Sequence, residues 1–163
     1  MQAYTVFIER VKDIHRLGAL QGHLGWDQET IMPTKGSEAR SDILSWLAAE
    51  RHNRLIDPEM GQMLNALEQD ETLNDDQRAN VREMRRSYDK AVKLPSEFVA
   101  AFAKAKSEAL LSWQKARLNS DFSAFQPQLE TLIGMTKEKI AYYGGQDNPY
   151  DVLLDEYEVG MKV

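Results

Sequence analysis

Apolar side chains recur at three- and four-residue steps along almost the whole chain, the period of helices with one buried face. The first such stretch runs from about Tyr4 to Gly25. Phe7, Val11, Ile14, Gly18 and Gln21 share a face, with Leu17 and Leu24 beside it and Glu9, Arg10, Lys12, Asp13 and Arg16 opposite. Gly18, Gly22 and Gly25 each lower helix propensity by about 1 kcal/mol against alanine. They fall on one flank, where a neighbouring backbone is expected to approach closely. Met32-Pro33-Thr34-Lys35-Gly36 breaks the pattern, because Pro33 disfavours helical backbone at Met32. A second helix is expected from near Ser37 to about His52, with Ala39, Ile43, Trp46, Leu47 and Glu50 on one face.

Start signals then follow in series. Asp57-Pro58-Glu59 combines an N-cap with proline at the first helical position, ahead of Met60, Met63, Leu64 and Leu67. Asn74-Asp75-Asp76-Gln77 has capping-box spacing and opens a helix carrying Val81, Met84, Arg85, Tyr88, Ala91 and Val92. Leu94-Pro95-Ser96-Glu97 ends it and begins a stripe of Phe98, Phe102, Ala105, Ala109, Ser112, Trp113 and Ala116, whose alanines suit close helix packing. After a break at Asn119-Ser120-Asp121, Ser123-Ala124-Phe125-Gln126 again has capping-box spacing, with Pro127 expected in the first turn. Phe125, Leu129, Leu132, Ile133, Ile140 and Tyr143 continue that helix to a stop at Gly144-Gly145. Asn148-Pro149 starts a short final helix through Val152, Leu153 and Leu154, ending near Gly160.

No strand pair or Asn-Gly hairpin is visible. The expected fold is all-α: a mostly antiparallel, bundle-like array of about six helices plus a short C-terminal one, forming a single helical unit over residues 1–163.

Composition narrows the functional classes. Apolar residues make up 42% of the chain, enough for a sizeable core, and 20 Lys and Arg against 26 Asp and Glu leave a net charge of −6. That balance argues against a general nucleic-acid binder, which presents a basic face. The absence of cysteine excludes disulfides, thiolate metal sites and cysteine nucleophiles, and suits a reducing compartment. No apolar run approaches the roughly 20 residues needed to span a bilayer, and Met1 to Arg10 lacks the basic-then-apolar order of a signal peptide. A soluble, cytoplasmic protein is the expectation.

Few residues offer chemistry. His15 and His23 are separated by about 80° around a helix turning ~100° per residue, and neither they nor His52 make the two-histidine helical zinc motif. Solvated or capping roles are expected for them. Gly22-His23-Leu24-Gly25-Trp26-Asp27-Gln28-Glu29-Thr30 is the densest cluster of unusual residue types. It reads either as a ligand edge, with Trp26 as wall and Asp27 or Glu29 as anchors, or, as favoured here, as a helix end with Trp26 buried and the acidic side chains holding a turn or pairing with Arg40. Trp113, Arg117, Asp121 and Phe122 form a second cluster. There Arg117 is expected to join a carboxylate such as Asp121 in a pair linking two helices, and engagement of a substrate carboxylate is the alternative. Tyr142, Tyr143, Tyr150 and Tyr157 read as packing residues with wet hydroxyls. Asp151, Asp155, Glu156 and Glu158 lack calcium-loop spacing and read as a solvated face. No nucleophile arrangement, phosphate loop or dinucleotide fingerprint appears.

Taken together, Leu24-Gly25-Trp26-Asp27-Gln28-Glu29-Thr30, Met32-Pro33 and Ser37-Glu38-Ala39-Arg40 resemble the opening of the carboxypeptidase Taq family of zinc metallocarboxypeptidases. The resemblance continues through Leu94-Pro95, Trp113-Gln114-Lys115-Ala116-Arg117, Asp121-Phe122 and Phe125-Gln126-Pro127-Gln128-Leu129-Glu130. It closes with Asn148-Pro149-Tyr150-Asp151-Val152-Leu153-Leu154-Asp155-Glu156-Tyr157-Glu158-Val159-Gly160, departing at Val159, where the family usually has proline. Pieces of the middle also resemble the oligoendopeptidase F group.

The resemblance implies a largely helical, usually dimeric enzyme about three times this length that removes C-terminal residues from peptides. Its zinc motif, His-Glu-x-x-His, and a further glutamate ligand lie beyond the matched region. No catalytic, cofactor-binding or metal residue is therefore carried over to this chain, and none of zinc or activity is expected of it alone. Peptide substrates belong to the longer enzyme, and self-association of this chain is expected through helix faces left bare. The alternative is a stand-alone helical protein-interaction module.

Overall fold

The computed structural model describes residues 2–144 and 148–163; Gly145 of the expected helix stop lies outside them. Every regular element among the described residues is helical. They are α1 (Gln2–Thr30), a 3-10 turn (Thr34–Gly36), α2 (Ser37–Leu55), α3 (Pro58–Glu68), α4 (Asp75–Ala91), α5 (Ser96–Asn119), α6 (Phe122–Tyr143) and the single-turn α7 (Asp151–Leu154). The expected six long helices and a short last one are all present. The chain divides into two compact units, residues 1–104 and 105–163, with the division inside α5.

In residues 1–104 the local signals act as their chemistry dictates. The Asp57 carboxylate accepts from the Glu59 N–H at 2.8 Å, with Pro58 at the first helical position. At Asn74 both halves of a capping box form: Gln77 N–H donates to Asn74 Oδ1 at 2.9 Å, and Asn74 N–H donates to Gln77 Oε1 at 3.0 Å. The core joins α1, α3, α4 and the turn before α4 through Phe7, Val11, Ile14, Met60, Leu64, Leu67, Leu73, Val81 and Met84. α3 and α4 run antiparallel: Arg85 reaches Glu68 and Asn65, and Gly61 lies under Tyr88 further along. A Cβ at Gly61 would sit 2.5 Å from the Tyr88 hydroxyl, so this close approach requires glycine.

α1 and α2 are also antiparallel, with Arg40 beside Asp27 at one end and Arg51 beside Gly18 at the other. The expected glycine flank on α1 is corrected in two ways. Only Gly18 meets a neighbour, and that neighbour is the Arg51 side chain rather than backbone; Gly22 and Gly25 face open space. The helix also passes Gly25 to Thr30, because three glycines' propensity cost does not outweigh an unbroken backbone ladder. The α2 face is corrected too. Ser41, Leu47, Ala48 and His52 are buried, whereas Ala39 and Ile43 are exposed and Trp46 is 63% exposed. Leu47 keeps its expected place inside, and the rest of the buried stripe is small or hydrogen-bonded: Ser41 Oγ donates to Ser37 O at 3.0 Å, and His52 Nε2 lies 2.9 Å from Leu94 O.

That histidine makes this unit pH-sensitive. The contact to a carbonyl requires the proton on Nε2, leaving Nδ1 free to titrate. Burial lowers the His52 pKa below its ordinary 6.5, only partly opposed by the Leu94 hydrogen bond. The unfolded chain therefore takes up a proton at this site before the folded one does. Stability is full above pH 6.5, falls as the pH drops through that value and levels off below the folded-state pKa. Urea midpoints should accordingly be lower at pH 5 than at pH 7.5, and His52→Gln should flatten that difference; an unchanged slope in the variant would refute the assignment.

In residues 105–163, α5 contributes buried Ser107, Ala109 and Ala116, and Ser112 Oγ donates to Ala124 O of α6 at 3.3 Å. The cap of α6 is Asp121, whose Oδ1 accepts from the Ala124 N–H at 3.3 Å and from the Ser123 hydroxyl at 2.6 Å. The expected Ser123 cap is thus replaced by an earlier, charged one. This moves Pro127 from the first turn into the helix interior, where it removes one ladder bond. At the other end of α6, Glu156 accepts from Lys139 Nζ at 2.5 Å and from the Tyr143 hydroxyl at 3.4 Å. Burial first and the Glu156 charge second push the Tyr143 phenol up to about 12. The short C-terminal helix closes earlier than expected, at Leu154, and turns carry the chain to Gly160 at φ 79°.

Candidate functional site

The residues singled out in the sequence meet different fates. Around the end of α1, Arg40 Nη2 lies 2.5 Å from Asp27 Oδ2, and the same guanidinium donates to Leu24 O. Of the two roles expected for the acids at a helix end, the pairing with Arg40 is present, made by Asp27. Trp26, expected to be buried beside it, is instead 56% exposed and stacks on the His23 ring with centroids 6.0 Å apart. The Asp27–Arg40 pair fastens two helices.

The C-terminal acids are not a simple solvated face. Asp151 is buried and its Oδ1 accepts from Val163 N–H at 2.9 Å, while Asp155 Oδ1 accepts from Gly160 N–H at 2.8 Å. With Glu156 held by Lys139 and Tyr143, these carboxylates organise their own turns. Tyr150 and Tyr157 are exposed, and the Tyr142 hydroxyl donates to Glu138 at 2.9 Å.

One cleft does assemble. Trp113, Ala116, Arg117, Ser120, Asp121, Phe122 and Phe125 line a hollow of about 350 Å³ where α5 turns into α6. Its geometry comes from the end of α5. Asp121 N–H donates to Ala116 O at 2.9 Å and Ser120 N–H to Arg117 O at 3.3 Å, a reverse turn that places Ser120 at φ 53°. That left-handed conformation usually falls to glycine or asparagine. Trp113 and Arg117 come from successive turns of α5, and Phe122 and Phe125 from the first turns of α6. Sequence order alone identified Trp113, Arg117, Asp121 and Phe122; Phe125 and the positive φ of Ser120 were missed as parts of the cluster.

Electrostatically, the cleft has one open valence. The Asp121 carboxylate is occupied in capping α6, and its hydrogen bonds, that of Ser123 foremost, hold its pKa below the usual carboxylate range. The expected pair with Arg117 is absent: the Arg117 guanidinium has no hydrogen bond or ion pair among the described residues. A second hollow, about 180 Å³ and lined by Arg10, Asp13, Ile14, Arg54 and Asp57, offers a contrast. There Arg10 bonds Glu59 and approaches Asp57 at 3.8 Å, Arg16 holds Asp13 at 2.5 Å and Arg54 holds Glu50 at 2.8 Å. Every charge lining it is matched.

Residues 6–163 match the carboxypeptidase Taq (M32) metallopeptidase family. The chain belongs to that family. It is 35% identical to thermostable carboxypeptidase 1 of Thermus thermophilus, over 98% of this chain and 34% of that protein. It is 32% identical to carboxypeptidase 1 of Bacillus subtilis, over 96% of this chain and 32% of that protein. The solved structure of BsuCP superposes with a TM-score of 0.96 at 30% identity, covering 100% of this chain and 33% of that one. The Pyrococcus furiosus carboxypeptidase structure gives 0.78 at 33% identity, covering 99% and 33%. The M32 chain therefore spans about a third of the length of the curated relatives it matches.

Membership implies a metal, so the fit of these residues to one matters. Among the described residues no three His, Asp or Glu side chains stand together as a ligand set. His52 is committed to Leu94 O and His23 to the Trp26 ring. These residues do not fit a metal centre, and no catalytic step is assigned to them. Among them, too, no helix is long and apolar enough to cross a membrane.

Proposed function

We propose that this chain serves as the N-terminal helical part of a zinc metallocarboxypeptidase that removes C-terminal residues from peptides, with the zinc ligands and general base supplied by residues beyond the region it matches. The observation that carries this reading is the pairing of near-complete coverage of the chain with about a third of each relative. The helices here then frame the enzyme, and their ion pairs and caps are structural.

The reading is tested by comparing two proteins. The 163-residue chain, supplied with zinc, should release no C-terminal amino acid from an N-blocked peptide. A chimaera in which this chain replaces the matched third of the Bacillus subtilis carboxypeptidase should do so, and lose that activity to a chelator. Stoichiometric zinc with peptide hydrolysis by the 163-residue chain would overturn the division of labour, as would a folded, metal-loaded chimaera without activity.

A further inference from the structure

We infer that the Trp113–Arg117–Phe122 cleft is a docking socket for the rest of an M32 polypeptide, which places a carboxylate side chain on Arg117 and an apolar side chain against Trp113 and Phe122. The inference rests on the reading above and adds the contact through which the two parts are held.

Three observations converge on it. Trp113 and Phe122 are 46% and 63% exposed although they flank a formed hollow, so the cleft has aromatic walls that this chain leaves largely uncovered. Arg117 stands in that hollow with no hydrogen bond or ion pair among the described residues, a state it shares with Arg51 but not with Arg10, Arg16, Arg40, Arg54 and Arg85, which meet carboxylates. Arg117 is exposed to solvent in this chain, and a guanidinium beside aromatic faces favours a carboxylate, which it engages through two parallel N–H bonds. Lastly, relatives superposing on the whole of this chain carry about twice as much polypeptide again outside it. A segment of that polypeptide is the occupant.

Trp113 reports on its own socket once Trp26 and Trp46, and any tryptophan in the Bacillus subtilis part of the chimaera, are changed to phenylalanine, leaving it the sole indole. Acrylamide should quench it freely in the 163-residue chain at every protein concentration, and several-fold less in the chimaera. Arg117→Gln should leave the melting temperature of the 163-residue chain unchanged. In the chimaera it should speed proteolysis of the α5–α6 turn about tenfold, as the loss of one charge-assisted contact raises the open population. Should the full exchange be insoluble, exchanging residues 105–163 alone carries the same readouts.

Equal quenching in chain and chimaera overturns the socket. So does a lowered melting temperature for Arg117→Gln in the 163-residue chain, because Arg117 would then act within it. Protection of Trp113 on concentrating the chain makes a second copy the occupant. Protection by a peptide with a free C-terminal carboxylate, but not by its amide, makes the cleft a substrate site. An active chimaera with exposed Trp113 defeats the socket alone; a shielded Trp113 in an inactive chimaera defeats the functional reading alone.

Discussion

Truncating Phe7 to alanine should destabilise residues 1–104 by about 3–5 kcal/mol, the range for emptying an aromatic site in a close-packed core. Phe7 is fully buried, in the cluster that joins α1 to α3 and α4, and its ring lies 5.8 Å from that of Tyr4. Tyr4 is itself fastened by Asn80 Nδ2, which donates to its hydroxyl at 2.8 Å. With Tyr4 held, that wall resists collapse into the space, which places the loss toward the upper end of the range. Total stabilities of about 5–15 kcal/mol leave such a variant near the edge of folding. Urea unfolding followed by circular dichroism measures it. Phe122→Ala serves as the control: its ring is exposed in this chain, so a change within about 0.5 kcal/mol is expected. Equal losses for the two would mean that the core has been misplaced.

The contrast between these phenylalanines shows where periodicity stops being informative. On α1, α3 and α4 the apolar stripe and the buried stripe coincide: Phe7, Val11 and Ile14, then Met60, Leu64 and Leu67, then Val81 and Met84 were all legible. Caps at Asp57 and Asn74 were legible too, because a short side chain with an oxygen acceptor ahead of a helical run has few other uses. On α2 the two stripes part. Of the more apolar one, Leu47 is buried but Ile43 and Trp46 are exposed, while the small Ala48 and the hydrogen-bonded Ser41 and His52 are inside. Periodicity reports that a face is apolar, not which surface it meets, so α2 could not be oriented from its own residues.

The candidate site was half legible for a related reason. Trp113 and Arg117 share a helix face by spacing alone, and Asp121 and Phe122 follow at a visible break. What spacing could not show was that Asp121, rather than Ser123, caps α6. That single choice withdraws the carboxylate from Arg117 and shifts Pro127 inward. A capping box and a charged cap four residues from an arginine compete for the same sequence, and backbone geometry at Ser120 decides between them.

Arg40→Ala should cost about 2–3 kcal/mol, below the 3–5 typical of a broken, fully buried ion pair because both side chains keep some contact with water. The Arg40 and Asp27 side chains are 14% and 24% exposed, so the pair is shielded without being dry. The guanidinium does two things at once: it meets Asp27 Oδ2 at 2.5 Å and donates to Leu24 O. Removing it leaves a carboxylate and a helix carbonyl without their donor on the side of α1 that faces α2. Arg40→Lys should recover at most half of the loss, since a single ammonium cannot reproduce the planar fork that reaches both acceptors. Asp27→Ala should cost less than Arg40→Ala, because the guanidinium keeps the Leu24 carbonyl and its other donors can reach water. The double variant should then show a coupling of about 1–3 kcal/mol. Hydrogen exchange locates the effect. Amides of residues 26–30 at the end of α1 should lose protection before those near Phe7, because the pair holds the end of the helix that the core does not reach. Uniform loss along α1 would instead place Arg40 in the global core, and a double variant that is simply additive would reduce the pair to a surface contact.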